Sequence, residues 1–175
     1  MDNFIFVNKC LSKELCKFYI DFFDKHEKQA IRGYLGSENI MDDLEIGISV
    51  YKELKIWEGI VNTINKFIKK YPLLNTELSE WKVDEGATVM RYEPNDYCNL
   101  IHCENDGKFK RIFAWMIYLN TIKKGGGTEF LHQKTTAKPI AGDMYIWPAG
   151  WTHLHRGVVA PEERKYIITG WVSYK

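Results

Sequence analysis

The period of the hydrophobic residues changes near residue 80, and that change limits what the chain can fold into. Before it, apolar residues recur at helical spacing. Leu15, Phe18, Tyr19, Phe22 and Phe23 follow Ser12, an N-cap, with Glu14 in the first turn. A second amphipathic stretch runs through Trp57, Ile60, Val61, Ile64, Phe67 and Ile68, then stops at Lys69-Lys70 and Tyr71-Pro72. After residue 80 the pattern is that of strands, expected over 81–83, 88–92, 112–119, 128–131, 143–147 and 165–172. Turn residues separate them: Glu93-Pro94-Asn95-Asp96, Lys123-Lys124-Gly125-Gly126-Gly127, Ala141-Gly142-Asp143 and Pro148-Ala149-Gly150. Helices first and many short strands later predict an α+β fold, a double-stranded β-helix (jelly-roll) core with N-terminal supporting helices on the outer face of one sheet. No linker divides it, so residues 1–175 are expected as a single domain. Residues 1–80 are its mainly helical support and 81–175 its core.

Composition narrows the function classes. The 175 residues are 45% hydrophobic and 14% aromatic, a globular balance, and the formal charge of +1 argues for neither nucleic acid nor an anionic membrane as partner. No apolar run of about 18 residues is present to span a bilayer. The opening Met1-Asp2-Asn3-Phe4-Ile5-Phe6-Val7 lacks the basic start of a signal peptide. Cys10, Cys16, Cys98 and Cys103 show no CxxC spacing, which predicts free thiols, a reducing compartment and a cytoplasmic location.

Chemistry concentrates in the strand-rich half. His26 sits in the charged stretch Asp24 to Lys28 and is expected at a solvated helix end. His102-Cys103-Glu104 puts an imidazole and a carboxylate on one strand face, with Cys103 turned away. Two histidines and one carboxylate on one side of an iron leave positions open for substrate and O₂. Trp151-Thr152-His153-Leu154-His155 offers a further histidine, and His153 and His155 share a face. Lys165 shares a strand face with Ile167, Thr169 and Trp171. An ammonium there either snorkels to solvent or meets an anionic ligand. Lys108, Lys110 and Arg111 follow the His/Glu pair and are expected in a solvated loop.

The order of these pieces resembles the prolyl-4-hydroxylase-like family of iron(II)/2-oxoglutarate oxygenases. The matching segments are His102-Cys103-Glu104, Tyr118-Leu119-Asn120, Gly126-Gly127-Thr128-Glu129-Phe130, Pro139-Ile140-Ala141-Gly142, His155, and Lys165 through Trp171. Phe6 to Cys16, a strand followed by Leu-Ser-x-Glu-x-Cys, is similar to the family's opening, and 24–80 matches nothing. The resemblance implies His102, Glu104 and His155 as metal ligands, since His155 lies ten residues before Lys165, as the family pattern asks, and His153 twelve. It implies Lys165, Tyr92, Tyr118 and Thr169 as the 2-oxoglutarate site. Iron(II), 2-oxoglutarate and O₂ follow as cofactor and co-substrates, and ascorbate is admitted beside them. The family usually carries aspartate where this chain has Glu104, whose extra methylene shifts the metal or the backbone. The implied activity is hydroxylation of an unactivated C–H, first of a prolyl residue in a peptide or protein, with free amino acids or another small molecule as alternatives. Two other classes are open: a cupin-type jelly roll using His102, Glu104, His153 and perhaps His132 without 2-oxoglutarate, and a non-catalytic binding module.

Overall fold

The computed structural model describes residues 2–33, 43–52, 54–96, 100–105 and 107–175. Cys98 lies outside them. Ser12 caps the first helix, α1 (Lys13–His26), its Oγ accepting the Leu15 amide at 3.3 Å. The second, α2 (Leu54–Lys70), buries Ile56, Ile60, Ile64 and Phe67, one stripe at spacings of three and four. Phe67 meets the rings of Phe6, Tyr71 and Phe113 edge-on or tilted, contacts of about 0.5–1.5 kcal/mol each beyond area burial.

Ten strands are seen among the described residues: β1 (Phe6–Lys9), β2 (Ile31–Arg32), β3 (Leu44–Ser49), β4 (Trp81–Tyr92), β5 (Arg111–Tyr118), β6 (Thr128–Phe130), β7 (Thr135–Ala137), β8 (Asp143–Pro148), β9 (His155–Gly157) and β10 (Lys165–Tyr174). They form a seven-stranded sheet, β1-β8-β5-β10-β4-β3-β2, and a three-stranded sheet, β7-β6-β9, every pairing antiparallel. This is the expected jelly roll with helices outside the larger sheet.

Strand alternation builds two cores from that sheet. Val83, Val89, Phe113, Trp115, Ile117, Met144, Ile146, Tyr166 and Ile168 pack outward against Cys16, Tyr19, Phe23, Ile56 and Ile60 of the helices. Met90, Tyr92, Ala114, Met116, Tyr118, Tyr145, Trp147 and Ile167 point inward and meet Phe130 and Ala137 of the smaller sheet. Lys165 pairs with Tyr92 and Ile167 with Met90, so β10 and β4 share one register on the inner face.

Three differences from the sequence reading have physical causes. The two strands expected around residues 81–92 are one, because β4 continues through Gly86 while β10 shifts register beside it between Gly170 and Val172. The N-terminal 80 residues, expected as mainly helical with a strand at Phe6, also give β2 and β3 to the large sheet. Arg111 opens β5 instead of sitting in a solvated loop. His26 does end α1, but half-buried, its Nδ1 2.7 Å from the Phe22 carbonyl. Cys10, Cys16 and Cys103 are free thiols. Among the described residues no helix is long and apolar enough to cross a membrane.

Candidate metal and co-substrate site

A cavity of about 280 Å³ opens between the two sheets, walled by β3, β4, β5, β10 and the smaller sheet. His102 reaches it through a single antiparallel bridge to His155: the His102 amide donates to the His155 carbonyl at 3.0 Å, and the His155 amide donates back at 2.9 Å. That exchange extends the smaller sheet past β9 and brings the imidazole centroids to 4.4 Å.

Each ring has one nitrogen committed. His102 Nδ1 lies 2.8 Å from the Leu100 carbonyl and His155 Nδ1 lies 2.9 Å from the His153 carbonyl. A carbonyl only accepts, so Nδ1 carries the proton in both rings and Nε2 keeps its lone pair. Both Nε2 atoms face Glu104 Oε1, at 3.7 Å from His102 and 3.4 Å from His155. The three donors lie within 4.8 Å of one another. Those separations are long for hydrogen bonds, and they suit donors around one ion, where neighbours bound at about 2.1 Å stand about 3 Å apart. Burial works against the Glu104 charge, but imidazoles that take a second proton on Nε2 outweigh it and hold the carboxyl far below the usual carboxylate range. Burial likewise opposes protonation of His102, and Glu104 overrides it, raising the imidazole above its ordinary value.

The other oxygen of Glu104 is held from behind. Oε2 accepts the Trp171 indole N–H at 2.7 Å and faces the Arg111 guanidinium at 3.6 Å. Arg111 lies over the Trp171 ring at 3.7 Å and over Phe109 at 4.3 Å. The sequence pattern sets Trp171 on the face of Lys165 without naming its partner, and the charged run 108–111 hides that Arg111 faces Glu104. The i+2 parity of β10 with Lys165 was the available signal for Trp171.

Lys165 does not reach solvent: it is 6% exposed, lines the cavity and sits 4.0 Å from the centre of the Tyr92 ring. Such a cation over a desolvated ring gains about 2 kcal/mol, and the Asp43 carboxyl also feels its charge. Tyr92 and Thr169 also line the cavity, and the Thr169 hydroxyl donates to the Trp115 carbonyl at 3.2 Å. Tyr118 is fully buried, with its hydroxyl 3.0 Å from Thr128 Oγ1, and Thr128 is the member of that pair on the cavity wall. Burial pushes the Tyr118 phenol up. His153 takes a different part: Nε2 donates to the Asn3 carbonyl at 2.9 Å and Nδ1 meets the Thr152 hydroxyl at 3.0 Å. His132 packs near Trp151, and neither residue belongs to the three-donor cluster. Cys103 turns its thiol to the Asn105 carbonyl.

Residues 87–173 match the family model described as the 2OG-Fe(II) oxygenase superfamily. No curated protein matches the chain by sequence. Among solved structures, a viral collagen prolyl hydroxylase from Paramecium Bursaria Chlorella virus-1 is similar with a TM-score of 0.72 at 18% identity, covering 98% of this chain and 97% of that one. A Pseudomonas putida prolyl-4-hydroxylase gives 0.73 at 15% identity, covering 98% and 93%. A Trichoplax adhaerens prolyl hydroxylase, solved with a hypoxia inducible factor peptide fragment, gives 0.75 at 16% identity, covering 98% and 84%. At these identities the likeness is one of fold.

Proposed function

Given that the chain belongs to the 2OG-Fe(II) oxygenase superfamily through residues 87–173, we propose that His102, Glu104 and His155 hold its iron(II), that Lys165 takes the distal carboxylate of 2-oxoglutarate, and that a prolyl residue of a peptide or protein is hydroxylated. The observation that carries the ligand set is the convergence of two lone-pair Nε2 atoms on one carboxylate oxygen. Iron bound there would supply the oxidation in which 2-oxoglutarate and O₂ become succinate and CO₂ while one oxygen atom enters a substrate C–H bond.

The chain's own residues prepare that chemistry. The bridge between His102 and His155 sets the two nitrogens on backbone rather than on free loops. Glu104 offers Oε1 because Trp171 and Arg111 hold Oε2. Lys165 supplies a buried charge for a dicarboxylate, with Tyr92 and Thr169 beside it. Met90, Met116 and Ile167 line the wall between and exclude water. A cupin-type site without 2-oxoglutarate has no use for that buried ammonium. The prolyl substrate is supported by the three similar folds, all described as prolyl hydroxylases, one with a bound peptide. Free thiols at Cys10, Cys16 and Cys103 support a cytoplasmic location, and we take residues 1–175 as one domain.

Titrating 2-oxoglutarate into the anaerobic iron(II) protein, and following the metal-to-ligand charge-transfer band, tests the site. The wild type should develop the band, His155→Ala should not, and Lys165→Met should need at least tenfold more 2-oxoglutarate with iron affinity within threefold. Equal 2-oxoglutarate affinity in Lys165→Met would remove Lys165 from the site. Admitting O₂ with proline-containing peptides should release succinate and add one oxygen to proline. Succinate without that oxygen would shift the substrate to a free amino acid or another small molecule.

A further inference from the structure

The inner face of β3 carries two carboxylates that no motif accounts for. Leu44, Ile46 and Ile48 turn to the helix-side core, so Asp43 and Glu45 turn the other way. Glu45 stands between Ile31 of β2 and Met90 of β4, and its side chain lines the cavity together with Lys165 and His102. Asp43 is fully buried behind it, and among the described residues neither of its carboxylate oxygens meets a donor in good hydrogen-bond geometry. The two groups converge. A Cβ built on Gly33 would stand 2.5 Å from Asp43 Oδ1 and 2.7 Å from Glu45 Oε1. Packed carboxylates repel each other, and burial disfavours both charges. Burial and the Glu45 charge push the Asp43 carboxyl up to about 7, and burial raises Glu45 as well.

An acid pair in that condition is stabilised by a cation. Lys165 is close enough for its charge to draw Asp43 back down. Under the function proposed above, on which this inference rests, the distal carboxylate of 2-oxoglutarate claims Lys165 and brings a further negative group to the same end of the cavity as Glu45. Glu45 then stands as a carboxylate on the β3 wall whose neighbouring cation is engaged by the co-substrate. We infer that Glu45 is a specificity residue that takes a positively charged group of the substrate, a protonated amine or a guanidinium, on the β3 wall of the cavity. Asp43 reinforces it from behind.

Five-residue peptides centred on proline test this. Each carries one lysine at a flanking position, or norleucine in its place, which keeps the chain and removes the ammonium. Free L-lysine and L-norleucine form one more pair. All are titrated calorimetrically into the anaerobic protein loaded with iron(II) and 2-oxoglutarate. At least one lysine ligand should bind fivefold or more tightly than its norleucine twin. Glu45→Gln should bring that ratio below twofold, and Glu45→Asp, which keeps the charge, should retain a preference. The inference is overturned if no lysine ligand gains fivefold, or if Glu45→Gln leaves a ratio of twofold or more. The loading step separates the two readings. A chain that takes no 2-oxoglutarate strikes the proposed function and this inference with it. A normal 2-oxoglutarate isotherm without a lysine preference strikes this inference alone.

Discussion

Trp171 donates its indole N–H to Glu104 Oε2 at 2.7 Å, so one of the two carboxylate oxygens is fixed before any metal arrives. The bond decides which oxygen faces the histidines. Trp171→Phe keeps the ring over which Arg111 lies and removes only the donor. Iron(II) affinity should fall about 10- to 100-fold, the usual cost of losing an outer partner of a ligand. Competition with a chromophoric chelator measures it. Unchanged affinity would mean that Arg111 alone orients the carboxylate.

His153 and His155 are two residues apart and differ in what they touch: His155 belongs to the three-donor cluster and His153 does not. His153 is 3% exposed and ties Asn3 to the body of the fold, and burial holds its imidazole below the ordinary value. His153→Ala leaves a carbonyl without its donor, which costs about 1–3 kcal/mol. Melting should drop about 2–4 °C for each kcal/mol in a chain of this size, with iron affinity within threefold of wild type. His155→Ala also takes the donor from a carbonyl, that of His153, so melting should drop by a similar amount, but here iron binding should be lost. Iron lost in His153→Ala and kept in His155→Ala would exchange their roles.

Much of the candidate site was legible because strand parity is strict. That rule sets Lys165, Ile167, Thr169 and Trp171 on the inner side of β10, whereas His102 and Glu104 converge without a strand, His102 through its lone bridge to His155 and Glu104 from the bend that follows. The helices were legible from Ser12 and the spacing of their buried residues. Depth was not legible. Tyr118 has inward parity, yet it sits beneath Thr128, and no period reports which residue of a packed pair lies nearer the cavity. Nor was β3 seen, although Asp43 to Ser49 alternates polar and apolar through Leu44, Ile46 and Ile48, because two long helical patterns flank it. The short β7 and β9, three residues each, are defined by their partner β6 more than by their own composition.

Asp43 predicts how stability follows pH. Its folded value of about 7 lies above the unfolded 3.8, so this acid holds its proton on folding. Its contribution to stability therefore falls as pH rises from about 4 to about 7 and is level beyond. Asp43→Asn, which cannot ionise, should raise the melting temperature more at pH 8 than at pH 5. An equal change at both values would show that the carboxyl titrates normally in the fold.

Gly170 predicts a packing limit. A Cβ there would stand 2.3 Å from Cζ2 of Trp115, a fully buried ring on β5. Gly170→Ala must push that ring out of place, at about 1–3 kcal/mol for an overpacked core. Thermal melting should record the loss, about 2–4 °C per kcal/mol. A variant that melts with the wild type would mean that the ring has room to slide.

The backbone bridge between His102 and His155 also sets an order of events in time. The paired residues are about fifty positions apart in sequence, and β9, which carries His155, is itself held by β6. Contacts that close so long a loop form slowly, after local helices and hairpins. A half-synthesised chain carries His102 and Glu104 with the third donor still to come. The proposed ligand set is thus complete only once the C-terminal strands have closed, and iron held by all three donors reports a chain folded that far.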